Sequence, residues 1–211
     1  MKTFTLEDIK ALNTRFRTTF INSIAGFKSL NLVGTINDEG QTNLAVFNSI
    51  FHVGANPPYL GMVVRPNEVE RHTLENILSV EHYTLNHVNP EIIRQAHQTS
   101  ARYPKQISEF ESTGLSPFFT KKILAPYVQE SHVKIGLILK ENMLVKANNT
   151  MIIIGEINEI IVDETAIEND GYVNLEQLKT CTVAGIDAYF STTKIERLNY
   201  AKTDSPVSSL S

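Results

Sequence analysis

Short β-branched and apolar runs bounded by turn residues outnumber the stretches with helical spacing in this chain. Residues 30–36 read as a strand, and Asn37-Asp38-Glu39-Gly40 as the turn of a hairpin. Residues 43–53 return as one strand, Pro57-Pro58 breaks it, and residues 59–64 form the next. Further strands are predicted at 83–88, 134–139, 150–162 and 182–189, the third with the β-branched run from Met151 to Ile157. Helical segments are few. Thr5 is placed to cap a first helix, with Glu7 and Asp8 in its first turn and Leu6, Ile9 and Leu12 on one apolar face. Thr73 opens a short helix over 73–78. Asn89-Pro90 reads as the start of another, with Ile92, Ile93 and Ala96 (and His97 at its margin) on the apolar side. A last helical turn over 108–114 is closed by Gly114. The pattern predicts a mainly β fold with inserted helices, built on a barrel and not on a doubly wound sheet.

A length of 211 residues suits one generous domain or two small ones. With no linker and no internal repeat, residues 1–202 read as a single domain. Residues 203–211, small and polar, are expected to be a disordered tail. The net charge of −4 argues against a nucleic-acid partner, which selects for a basic face. Cys181 is the lone cysteine, so an internal disulfide is excluded and a reducing compartment fits. Lys2, Glu7, Asp8 and Lys10 interrupt any signal-peptide core, and no apolar run approaches the ~20 residues of a membrane span. These features point to a soluble, cytoplasmic protein without a membrane partner.

The candidate chemistry lies between Asn43 and Ile77. Arg65 stands at a strand end, and Arg71 and Thr73 at the start of a helix. A guanidinium fork beside a helix N-terminus suits an anion. The cluster upstream supplies a wall for a flat ring, so the ligand expected has a phosphate at one end and an aromatic system at the other. Phe47, Phe51 and Tyr59 are most simply core aromatics, one of which lines the ring. Asn48 and Ser49 either satisfy backbone at a bend or bond to the ring's polar edge. His52, His72, His82, His87, His97 and His132 show no metal-ligand spacing. Glu109 and Glu111, flanking Phe110, read as a solvated helix edge. Gly34, Gly40, Gly54 and Gly61 make no phosphate-cradling loop.

Several short motifs, taken in order, resemble the flavin reductase-like, FMN-binding split-barrel family. They are Gly34-Thr35 with Asp38-Glu39-Gly40, the run Asn43-Leu-Ala-Val-Phe-Asn-Ser-Ile-Phe, Pro57-Pro58, and Arg71-His-Thr-Leu-Glu-Asn-Ile. Glu109-Phe-Glu-Ser-Thr-Gly-Leu-Ser-Pro, Pro126-Tyr-Val-Gln-Glu-Ser and Gly185-Ile-Asp-Ala-Tyr-Phe follow. The resemblance implies a split β-barrel that binds FMN as a homodimer. It sets Asn43, Ala45, Val46, Phe47, Asn48, Ser49 and Ile50 along the flavin ring. Arg65, Arg71, His72 and Thr73 would hold the phosphate, with Asn76 from the same helix. Two positions depart from the family's pattern: Arg71-His72-Thr73 where Lys-Asp-Thr is usual, and Gly136 where a cysteine is frequent. His72 either faces the phosphate as an imidazolium or faces solvent. The activity implied is oxidoreductase, with hydride passing from NADH or NADPH to FMN. The alternatives are a non-catalytic flavin carrier or sensor on the same fold, and a split barrel that has lost flavin.

Overall fold

A computed structural model describes residues 1–66 and 71–210. In chain order it holds α1 (Leu6–Ala11), α2 (Thr14–Ile24), β1 (Lys28–Ser29), β2 (Asn31–Ile36), β3 (Thr42–Phe47), β4 (Ile50–Ala55) and β5 (Pro58–Val64). Then come α3 (His72–Val80), β6 (His82–His87), α4 (Ile93–Gln98), α5 (Glu109–Thr113), β7 (Pro117–Phe118) and β8 (Tyr127–Val128). The long hairpin β9 (Val133–Val145) and β10 (Thr150–Val162) precedes β11 (Cys181–Ala184) and β12 (Ala188–Ser191).

Seven strands form one antiparallel sheet in the order β3-β2-β6-β9-β10-β5-β4. Its two edge strands, β3 and β4, are joined only by Asn48 and Ser49. Three Cα steps of 3.8 Å reach about 11 Å at most, so the sheet must roll until its edges meet at that corner. The result is a barrel, split where β3 and β4 do not pair. A three-stranded sheet, β1-β11-β12, stands beside the corner, and Ser29 Oγ donates to Ile50 O at 3.1 Å.

Side-chain alternation sorts β2 between two cores. Leu32 faces outward onto Ile92, Ala96 and Phe110. Val33 faces inward onto Met62, Leu85, Leu137 and Ile153. Close approach fixes Gly136: a Cβ there would collide with the Tyr127 hydroxyl and the Ile123 side chain. That is a physical reason for glycine in place of the cysteine noted above.

Thr5 caps α1 as expected, in a reciprocal box with Asp8. Gly114 closes α5 at φ 73°. Other expectations are corrected. Helix α2 has no counterpart in the sequence reading, because its threonines and aromatics are weak helix formers and none of its residues is buried. Leu6 is exposed while Ile9 and Leu12 are half-buried, so the apolar face expected of α1 is only partly covered. The strand read over 43–53 is two strands turned at Asn48-Ser49, and that over 182–189 is a hairpin turned at Gly185. Asn89 does not cap α4; its Oδ1 accepts from Glu91 N at 3.0 Å in a turn, and Ile92 holds the cap position. Arg71, not Thr73, is the N-cap of α3. Phe51 is 40% exposed and packs across Gly61 instead of entering the core. Residues 203–210 are exposed and carry bridges from Leu198 to Ser209 and from Lys202 to Ser205. Ser211 lies outside the described residues.

Candidate functional site

Four buried polar side chains fasten the start of α3 to the sheet. Thr35 Oγ1, on β2, accepts from Asn43 Nδ2 at 3.2 Å and from Asn76 Nδ2 at 3.1 Å. Asn43 also donates to Thr73 Oγ1 at 3.0 Å. With these bonds made, β2, β3 and α3 move as one unit. Thr73 still has its hydroxyl proton to give, because that oxygen acts here as an acceptor.

Above this network lies a cavity of about 720 Å³, within the ~300–1,000 Å³ of small-molecule and cofactor sites. Asn43, Ala45, Val46, Phe47, Asn48 and Ser49 line it from β3 and the corner, and Arg65, Arg71, His72 and Thr73 from the β5 end and the α3 start. Two of the candidates lie elsewhere. Asn76 is buried behind the wall on Thr35, and Ile50 sits on β4 outside the lining. Asn48 and Ser49 brace the corner: Asn48 Nδ2 donates to Gly185 O at 3.3 Å, and Ser49 Oγ to Asn48 Oδ1 at 3.2 Å.

Arg71 holds a cationic donor in reserve. Arg71 Nε is buried and has no hydrogen-bond partner among the described residues. Such an orphaned donor costs stability unless something accepts from it. Burial, and then the neighbouring Arg65, push the Lys28 ammonium below its usual range. His72 is half-buried with Nε2 out of solvent, so its ring is turned into the molecule.

A second wall was not legible. His97 on α4, residues 99–103 after it, Glu109 on α5, and Ile186, Asp187 and Tyr189 around β12 face the same cavity. His97 Nδ1 lies 2.5 Å from Tyr189 OH, tying α4 to β12 across it. Glu109 corrects the reading of a solvated edge, for it is 6% exposed. Its Oε2 accepts from Leu44 N at 2.9 Å. Burial raises its carboxyl pKa, while the Leu44 N–H and the charge of His72 pull the other way. The signal for Glu109 was its place as the first residue of a short helix beside a buried Phe110; for 97–103 the sequence offered none.

Residues 28–179 match the family described as flavin reductase like domain. The chain belongs to that family. A split-barrel protein of Shewanella frigidimarina NCIMB 400, provisionally assigned as a flavin reductase, is 47% identical at a TM-score of 0.92, over 95% of this chain and 100% of that one. Nitrilotriacetate monooxygenase component B of Bacillus cereus gives a TM-score of 0.80 at 20% identity, over 92% and 96% of the two chains. The 2-nitrobenzoate 2-nitroreductase of Pseudomonas fluorescens gives 0.80 at 21%, over 97% and 98%. The last two likenesses show the split-barrel fold. Membership in the flavin reductase like family supports a flavin-related oxidoreductase, and among the described residues no helix is long and apolar enough to cross a membrane.

Proposed function

We propose that this protein is an FMN-binding oxidoreductase of the flavin reductase type, reduced by NADH or NADPH and working as a cytoplasmic homodimer. The observation that carries the reading is the buried Nε of Arg71, which has no partner among the described residues and is set on one cavity with Arg65 and Thr73. A terminal phosphate answers that donor set: two guanidiniums, one free hydroxyl proton and the first-turn N–H groups of α3. Ala45, Val46 and Phe47 offer the apolar wall on which a flavin ring lies. Asn48, held by Gly185, and Ser49, bonded to Asn48, offer polar groups to a ring's edge. Bound FMN supplies the hydride-accepting ring. The chain's own part is to anchor the phosphate and shape one ring face.

Support for a homodimer comes from Phe51 and Val53, exposed on the edge strand β4, and from Ile160 on β10. The Met151 to Ile157 run gives none, since every residue of it is buried or half-buried within one chain. The unpaired Cys181 accords with a reducing compartment.

The deciding experiment is the absorbance spectrum of the purified protein, followed by anaerobic titration with NADH and steady-state NADH oxidation with added FMN. Flavin bands that bleach with NADH, and turnover above that of free FMN, are expected. Bound FMN without turnover would favour the carrier reading, and a protein that binds no flavin would end both.

A further inference from the structure

Glu109 is spent on the fold with only one of its two carboxylate oxygens. Oε2 accepts from Leu44 N at 2.9 Å and so covers the outer edge of β3. Among the described residues no other residue donates to Oε1, and the carboxylate's second backbone donor is Glu109's own N–H. Arg65, Arg71 and Arg102 line the same cavity, yet none of them is ion-paired to Glu109 among the described residues. A carboxylate that is 6% exposed and is met, among the described residues, by two backbone N–H groups and the nearby charge of His72 gains from a further donor.

Its place says which donor. Leu44, which it holds, follows Asn43, pinned to Thr73 at the anion end, and precedes Ala45 on the apolar wall. Glu109 also feels the charge of His72 at the start of α3. It therefore stands at the seam between the anion end and the ring wall. A carboxylate repels a phosphate and gains nothing from aromatic carbon. What suits it is a ligand segment rich in hydroxyl donors. We infer that Glu109 is a specificity-determining residue whose open oxygen accepts hydrogen bonds from the hydroxylated chain linking a flavin's ring to its phosphate. This rests on the flavin reading above and adds to it the part of the ligand that selects the polyol.

The test compares FMN with a flavin phosphate whose linker is a plain pentyl chain, in the full-length wild type and in Glu109→Gln, by fluorescence titration. Wild type should prefer FMN by about tenfold or more, the loss expected for one charge-assisted hydrogen bond. Glu109→Gln keeps an amide oxygen for Leu44 N. It should narrow the preference to about threefold or less, by losing FMN and not by gaining the analogue. Equal wild-type affinity for the two flavins overturns the assignment without any variant, and so decides the matter even if Glu109→Gln fails to melt cooperatively. An undiminished preference in Glu109→Gln overturns it as well. An unchanged flavin preference with a raised KM for NADH would move the carboxylate to the dinucleotide's ribose and also overturn it. Wild type that binds neither flavin would sink the flavin reading itself, whereas tight FMN without hydroxyl preference would sink only this inference.

Discussion

The two walls of the cavity are built in different ways. The first, from Asn43 to Ser49 on one stretch and Arg65, Arg71, His72 and Thr73 beside it, draws on neighbouring parts of the sequence and rests on buried amide and hydroxyl groups. The second comes from three separated places, the turn after α4, the start of α5 and the β11–β12 hairpin. It is tied across by exposed His97 and half-buried Tyr189. A wall that cannot shift suits a ligand that never changes. A wall of loop residues on a separate small sheet suits one that differs between relatives. On this view the first wall grips the cofactor, and the second shapes what reaches it.

The largest effect should come from cutting the foundation of the first wall. Thr35→Val keeps the volume but removes the acceptor shared by Asn43 and Asn76. Two buried amides lose a partner at about 1–3 kcal/mol each, so a loss of about 2–6 kcal/mol in urea unfolding is expected. FMN affinity should fall with it, because Thr73 is held through Asn43. A variant as stable as wild type would mean the network is decorative and the two walls are alike.

Acid should act on the second wall first. His87, at the end of β6, contacts Thr180 at 3.2 Å just before β11. Burial lowers its imidazole pKa from 6.5 to about 4. Between those values the unfolded chain binds a proton that the folded chain refuses, so stability rises with pH across the window and falls as pH drops through it. The loss reaches up to about 3 kcal/mol once pH is below 4. Glu109 works in the opposite sense, since its raised carboxyl pKa favours proton uptake in the folded state. His87→Gln should flatten the decline between pH 6.5 and 4 in thermal melts. A decline as steep in the variant would place the acid sensitivity elsewhere.

The same contrast explains what could be read in advance. Strand β2, its hairpin turn, the Arg65 strand end and the α3 start are local signals, and alternation plus turn residues expose them. The Asn48-Ser49 break was missed because strand propensity runs through it, and only closure of the barrel demands a corner there. Glu109 was misread because a charged residue at a helix start is usually solvated. Its burial depends on Leu44, 65 residues away in sequence. Tyr189 and His97 meet across 92 residues, a separation no local pattern reports.

Removing one cation sharpens the assignment of the first wall. Arg65→Ala should weaken FMN by about 10- to 100-fold and riboflavin hardly at all, since a charge-assisted hydrogen bond is worth about 1.5–3 kcal/mol. Equal losses for the two ligands would mean that Arg65 does not meet the phosphate, and Arg71 would stand alone.

The smallest effect should follow Tyr189→Phe. Burial, then the nearby Asp187, raise the tyrosine pKa, so the hydroxyl stays protonated and able to donate to His97 Nδ1. Phenylalanine keeps the edge-on packing of the two rings, whose centroids lie 5.8 Å apart, and loses only that bond. A neutral hydrogen bond is worth about 0.5–1.5 kcal/mol, and the exposure of His97 places this one at the low end. The melting temperature should drop slightly. FMN affinity should stay within about twofold, because no bond to the first wall is touched. KM for the nicotinamide donor is where a change is expected, since this pair frames the mouth that the second wall shapes. A tenfold loss of FMN in this variant would make both walls part of one cofactor grip, and the division between them would have to be abandoned.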